Sequence, residues 1–155
     1  MAEHAATVTW HLAPRAEFSV EGFNRDHEWT FPGGEVVAAS ASPDFSGTIT
    51  RVNPEAAVVA SLSSCHMLTF LALAAKQGLR VLSYVDSPAG TLEKNAEGAT
   101  ALTRINLRPR VVFADDAKPS SEAFDALHAD ARAHCFVANS LKSEIVLEPV
   151  SPDLD

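Results

Sequence analysis

The longest uncharged run of the chain covers residues 56–75 and lies in its middle. Asn53 is a residue type that commonly caps a helix start, and Pro54 is common at the first helical position. Gly78, after the run, is typical of a helix end. The pattern therefore predicts one helix over residues 53–77.

A helix of this length and apolarity is long enough to cross a membrane. Serine, histidine and threonine residues interrupt the run, no aromatic belt flanks it, and predicted strands surround it, so a membrane span is disfavoured. A helix that is apolar on all sides is otherwise buried at the centre of a larger assembly. Since 155 residues offer little material to wrap such a helix, the pattern favours a homodimer.

Short strands and turns are predicted for the N-terminal region over residues 1–50. They are expected at residues 7–11, 18–20, 27–31 and 35–41. Beyond the helix, the pattern predicts a β-hairpin over 79–114, a second helix over 120–135, a short helical segment over 136–141 and a strand over 144–150. This order predicts an α+β fold in a single domain over residues 1–155, with antiparallel sheet packed on two helices.

Composition and charge exclude several classes of protein. A hydrophobic fraction of 46% excludes a disordered chain, and 12 Lys and Arg against 20 Asp and Glu give a net charge of −8. This acidic balance argues against nucleic acid or an anionic membrane as a partner. Two cysteines without an export signal indicate the reducing cytoplasm, where thiols are more often catalytic, redox-active or metal-binding than structural.

The two cysteines are the main candidates for chemistry. Cys65 lies about three turns into the first helix, too far from its start for the helix dipole to stabilise a thiolate. Its neighbours at helical spacing are mostly apolar, which raises a thiol pKa. Cys65 is therefore either an inert core residue or a thiol activated by a charged group from elsewhere. Cys135, at the end of the second helix, also lies on an apolar stripe.

Glu55 is the nearest acidic candidate on the same helix as Cys65. The ten residues between them correspond to about 15 Å along one helix, so the two side chains cannot touch. Alone, Glu55 is a carboxylate that favours a helix start. A site that includes both needs a long arginine between them or residues from two chains.

Two neighbouring pairs, Cys65-His66 and His134-Cys135, offer an alternative Cys₂His₂ zinc site. Adjacent helical residues point about 100° apart, so both members of a pair rarely converge on one metal. Packing or capping roles for the two histidines are the simpler interpretation.

Four segments of the first helix closely resemble the central-helix signature of the osmotically inducible protein C / organic hydroperoxide resistance (OsmC/Ohr-like) family. They are Asn53-Pro54-Glu55, Ala60 to His66, Phe70-Leu71-Ala72 and Lys76 to Gly78. The second helix ending in Cys135, with Asn139 to Lys142 after it, resembles the second-cysteine segment of that family, although Phe136 stands where many members have proline. The resemblance covers nearly the whole chain.

The resemblance implies an intertwined α+β homodimer with two interface sites that reduces organic hydroperoxides. Cys65 matches the peroxidatic cysteine and Cys135 the resolving cysteine, while Glu55 matches the carboxylate before the cysteine. Arg25 is the best match for an activating arginine, and Arg15 is the weaker one. The family uses no bound cofactor, only an external dithiol. A non-catalytic dimer that binds a hydrophobic ligand or senses redox state is the alternative.

Overall fold

A computed structural model describes residues 2–151 of the chain, in which strands and helices follow each other as the α+β prediction requires. The chain divides into two compact units, the first ending at Ala57 and the second beginning at Val58. The α+β class is confirmed. The single domain over residues 1–155 and the intertwined homodimer stay predictions.

An antiparallel sheet of three strands, in the order β1-β2-β3, forms the first unit. Its strands are β1 (Thr7–Thr9), β2 (His27–Thr30) and β3 (Val36–Ala39). In the turn between β2 and β3, the N–H of Gly34, which has a φ of 88°, donates to the carbonyl of Phe31 at 2.9 Å. The predicted strand at residues 18–20 is wrong, because the Ser19 hydroxyl accepts the N–H of Gly22 at 3.0 Å and closes a turn there.

Helix α1 (Pro54–Lys76) begins and ends close to the residues that the sequence predicts. The Asn53 side-chain oxygen accepts the N–H of Ala56 at 2.8 Å and so caps the first turn. Gly78 adopts a left-handed φ of 73°, and its N–H donates to the carbonyl of Ala75 at 3.0 Å. By length and composition α1 could cross a membrane, but the core helix of a soluble protein meets the same criteria.

The strands of the second unit form two sheets. In the first sheet, β4 (Val81–Val85) pairs antiparallel with β7 (Arg110–Phe113). In the second sheet, β5 (Ala89–Lys94) pairs antiparallel with β6 (Thr100–Leu107). Strand β6 also pairs with β8 (Glu144–Leu147). The β6–β8 pairing is parallel, unlike the antiparallel pairing that the sequence suggests. The helical segment between β6 and β8 supplies the long connection that parallel strands need.

The predicted hairpin over residues 79–114 is divided in two, with a break in each arm. Pro109, which lacks an N–H for strand pairing, lies between β6 and β7 next to Arg108. Between β4 and β5, one carboxylate oxygen of Asp86 accepts the N–H of Arg108 at 2.8 Å. The other accepts the hydroxyl of Ser63 on α1 at 2.6 Å. Asp86 therefore links both breaks to α1.

Two more helices, α2 (Ser121–His134) and α3 (Phe136–Ser140), complete the second unit. The Ser120 hydroxyl accepts the N–H of Ala123 at 3.2 Å and caps α2. Two buried apolar clusters hold the elements together. One contains Phe70, Ala74, Val111, Phe113, Phe124, Leu127 and Ala131, and the other contains Val59, Leu62, Ile105, Leu107, Cys135 and Ala138.

A pair of buried histidines connects α1 to α2. His66 Nε2 and His128 Nδ1 lie 3.0 Å apart, and His128 stacks on the ring of Phe70. The outer nitrogens, His66 Nδ1 and His128 Nε2, have no hydrogen-bond partner among residues 2–151. Burial is the main cause that lowers the pKa of His66 to about 4 and the pKa of His128 to about 3. At His66, Asp86 opposes this shift and Arg132 adds to it.

We expect mild acid to destabilise the protein through this pair. Both pKa values lie below the ordinary value of 6.5, so between pH 6.5 and about 4 the unfolded chain binds protons that the folded chain does not. The free energy of unfolding should fall between pH 7 and pH 5 by about 2 kcal/mol per histidine. Urea denaturation at the two pH values measures this change.

The control for this prediction is the double variant His66→Leu/His128→Leu, which removes both polar groups together and leaves neither unpaired. Its stability should change less between pH 7 and pH 5 than that of the wild type. An equal pH dependence in the two proteins would contradict the prediction.

Candidate thiol site

The structure brings the two cysteines together, although they lie 135 − 65 = 70 residues apart in the chain. Cys135 is fully buried in the second apolar cluster, and half-buried Cys65 packs against the same cluster. Both thiols are free, and they lie close enough for Cys65 to affect the pKa of the Cys135 thiol. The second unit therefore contains a reduced pair of thiols in direct contact.

Cys135 is held in place by the junction between α2 and α3. It ends α2 and caps α3, with extended backbone angles (φ −74°, ψ 113°). Its sulfur accepts the N–H of Ala138 at 3.3 Å, and its carbonyl accepts the N–H of Asn139 at 3.0 Å. The Asn139 side chain donates to the carbonyl of Ala133 at 3.0 Å, across the junction. The position of the sulfur is thus fixed by the backbone around it.

Burial raises the pKa of the Cys135 thiol to about 11. The neighbouring Cys65 thiol raises it further, while the N–H groups of Ala138 and Val137 act in the opposite direction. Cys135 is therefore a protonated thiol at neutral pH. A protonated thiol is suited to react second, after another sulfur has been oxidised and has become electrophilic.

Cys65 packs against an apolar cluster. The partly buried residues that pack against the same cluster are Val58, Val137, Leu141, Ile145 and Leu147. The Thr69 hydroxyl donates to the backbone carbonyl of Cys65 at 2.9 Å. Nothing in this apolar shell would stabilise a thiolate, so activation of Cys65 needs a charge supplied from elsewhere.

Glu55 lies in the first turn of α1, ten residues before Cys65. On a straight helix this spacing is about 15 Å, so the two side chains are not in contact within one chain. One carboxylate oxygen of Glu55 is buried and has no hydrogen-bond partner in the described part of the chain. A buried acceptor of this kind calls for a donor.

Arg25, in the first unit, is hydrogen-bonded to its own loop. Its two terminal nitrogens donate to the carbonyls of Phe23 and Val20, each at 2.8 Å. The guanidinium carbon lies 4.3 Å from the centroid of the Phe23 ring. Among the described residues, no ion pair joins Arg25 to Glu55. The contact of Arg25 with Cys65 stays a prediction.

Arg15, the weaker candidate, is exposed and adopts a φ of 67°. This left-handed conformation is uncommon for a residue with a side chain and marks a tight turn. Its assignment also stays a prediction.

Sequence reasoning did not identify a cleft of about 400 Å³ beside α1. Its lining residues are Ala60, Ser63, Ser64, Met67, Tyr84, Val85, Asp86 and Pro88. The surface is mostly apolar, and Asp86 is already bonded to Ser63 and to the backbone of Arg108. Asp86 is the one charged residue of this lining. The sequence pattern does not predict its two hydrogen bonds, because Ser63 and Arg108 are distant from it in the chain.

The predicted zinc alternative has no ligand cluster in the described part of the chain, where no three His, Cys, Asp or Glu residues lie close enough to hold a metal ion. His66 pairs with His128 instead. His134 Nδ1 donates to the carbonyl of Asp130 at 2.8 Å, within α2. These contacts are packing and local helix contacts.

Several solved structures are similar to this chain. An OsmC-like protein from Vibrio cholerae, of unknown function, has a solved structure that is similar to this chain with a TM-score of 0.94 and 44% identity, over 97% of this chain and 100% of that one. An OsmC-like protein from Mycoplasma pneumoniae is similar with a TM-score of 0.74, 14% identity and 97% coverage of both chains.

A third similar structure is an organic hydroperoxide resistance protein from Elizabethkingia anophelis, with a TM-score of 0.71 and 14% identity, over 97% of this chain and 96% of that one. At this identity the likeness shows the fold alone.

No curated protein matches the chain significantly. The family model described as OsmC-like protein matches residues 46–150, a segment that includes both cysteines. The chain therefore belongs to the OsmC-like family.

Proposed function

We propose that this protein is a cytoplasmic thiol peroxidase that reduces organic hydroperoxides to alcohols, as a homodimer and without a bound cofactor. The observation that carries the proposal is the contact between Cys65 and Cys135, one half-buried and one fully buried. Membership of the OsmC-like family supports it, and a protein of the same fold is named for organic hydroperoxide resistance.

The proposed reaction begins with the Cys65 thiolate. It attacks the terminal oxygen of R–O–OH, the O–O bond breaks, and R–O⁻ takes a proton and leaves as R–OH. Cys65 becomes a sulfenic acid. The sulfur of Cys135 then attacks the sulfenic sulfur, water leaves with the thiol proton, and a disulfide forms. An external dithiol reduces this disulfide and completes the cycle.

Arg25 and Glu55 are the proposed activating groups. Cys65 packs against an apolar cluster, so a guanidinium brought next to its sulfur would supply the positive charge that stabilises a thiolate. The unpartnered oxygen of Glu55 is an acceptor suited to hold such a guanidinium in position. In the described structure Arg25 donates to backbone carbonyls, so activation requires it to exchange these bonds for Glu55 and Cys65.

The apolar shell around Cys65 favours organic hydroperoxides over hydrogen peroxide. An alkyl or aryl group gains about 25 cal/mol for each Å² that it removes from water. Hydrogen peroxide offers no such surface. The proposed substrate class is therefore a hydroperoxide with an apolar substituent.

We expect cumene hydroperoxide to convert the two free thiols into a Cys65–Cys135 disulfide. Mass spectrometry of the intact protein and of its peptides detects the loss of two hydrogens and the cross-linked peptides. Cys65→Ser should abolish peroxide consumption, whereas Cys135→Ser should consume one equivalent per chain and stop at the sulfenic acid. If Cys65 stays reduced in the presence of excess peroxide, the proposal is wrong.

Arg25→Ala should slow peroxide consumption by at least tenfold, because the variant lacks the guanidinium that is proposed to stabilise the Cys65 thiolate. Arg15→Ala is the matched control and should react at close to the wild-type rate. Stopped-flow measurement of thiol alkylation against pH gives the Cys65 pKa in each variant. A loss of rate confined to Arg15→Ala would reverse the assignment of the two arginines.

A non-catalytic dimer that binds a hydrophobic ligand or senses redox state is the second candidate. The mostly apolar cleft next to Ser63 and Ser64 favours ligand binding. Native mass spectrometry would detect a bound apolar ligand. Unchanged peroxide consumption in both Arg25→Ala and Glu55→Ala would favour this candidate over the peroxidase.

A further inference from the structure

The two sulfurs of the thiol pair differ in their access to solvent. Cys65 is half-buried, whereas Cys135 has no exposed surface. The sulfur of Cys135 lies among buried residues of the second apolar cluster, such as Leu62 and Ile105. The N–H of Ala138 also contacts it, at 3.3 Å. A thiol from outside would have to displace this packing before it could reach Cys135.

Reduction of a disulfide requires a thiolate to attack one of its two sulfurs, and the other sulfur leaves as a thiolate. Which sulfur is attacked depends on access and on the basicity of the leaving thiolate. In this protein the two factors disagree. Access favours attack at Cys65, while the burial of Cys135 makes it the more basic and poorer leaving group.

We infer that the reducing thiol attacks Cys65 and that Cys135 leaves as the thiolate, towards the N–H of Ala138. This inference rests on the proposed function, because it concerns the disulfide that the proposed reaction forms. Access decides the outcome, since a fully buried sulfur cannot meet an incoming thiolate in line with the S–S bond. The N–H of Ala138 already donates to the sulfur of Cys135 and would stabilise the departing charge.

The sequence of steps with a dithiol as reductant is balanced. The first thiolate of the reductant bonds to the sulfur of Cys65, and the S–S bond to Cys135 breaks with its electron pair on Cys135. Cys135 takes the proton of the second reductant thiol. That second sulfur, now a thiolate, attacks the reductant sulfur of the mixed disulfide and closes the reductant's own disulfide. Cys65 leaves as a thiolate, ready for the next peroxide.

Trapping the mixed disulfide tests this inference. The wild-type protein is oxidised with diamide rather than with peroxide, so that the disulfide forms whether or not the protein is a peroxidase. It is then mixed with a monothiol, 2-mercaptoethanol, and quenched after short times with acid and N-ethylmaleimide. Peptide mass spectrometry should find the mercaptoethanol adduct on Cys65 and the maleimide on Cys135, in at least tenfold excess over the reverse pattern.

The oxidised protein unfolded in urea is the control, because both sulfurs are then equally accessible and the adducts should be distributed nearly evenly. In the folded protein, an adduct on Cys135 or an even distribution would overturn the inference. Failure of the proposed function has a different signature, namely that peroxide forms no disulfide while diamide does.

A second measurement needs no disulfide. Ellman's reagent should modify Cys65 in Cys135→Ser at least tenfold faster than it modifies Cys135 in Cys65→Ser, at a pH above both thiol pKa values or after correction for the thiolate fractions. In urea the two corrected rates should be similar. A faster reaction of Cys135 in the folded protein would overturn the inference.

Discussion

The hydrogen bond from the N–H of Ala138 to the sulfur of Cys135 is the interaction on which the candidate site depends. It makes the cysteine the cap of α3 and turns the chain at the end of α2. Because the cap fixes the backbone on both sides, the sulfur has one position, inside the cluster against which Cys65 packs. The contact between the thiols is thus a consequence of how two short helices are joined.

The first helix shows how much of the fold local sequence determines. Its limits depend on Asn53 and Gly78, whose hydrogen bonds are made within a few residues, so the sequence predicts them well. The break in the hairpin was not predicted, because it depends on Asp86 binding Ser63 and Arg108, which are 23 and 22 residues away. The parallel pairing of β8 with β6 is equally non-local.

The candidate site likewise combines residues that the sequence indicates with contacts that it does not. Cys65 and Cys135 are candidates because they are the two thiols of the sequence, and only the family resemblance suggests that they act together; the structure places them close to each other. The histidine pair was missed because His66 and His128 lie 62 residues apart, and a periodic pattern does not indicate which buried residues will meet. The proposed role of Arg25 requires its charge to reach Cys65 from a distant part of the chain, and spacing along the helix does not predict such an approach.

The separation of the two thiols along the chain has a consequence for the unfolded state. A disulfide between them would close a loop of 135 − 65 = 70 residues. In the chain-entropy description such a cross-link restricts the unfolded ensemble and stabilises the native state by about 4 kcal/mol. Each catalytic cycle of the proposed peroxidase would therefore pass through a form that resists unfolding more strongly than the resting enzyme. The oxidised protein would be protected while it waits for a reductant.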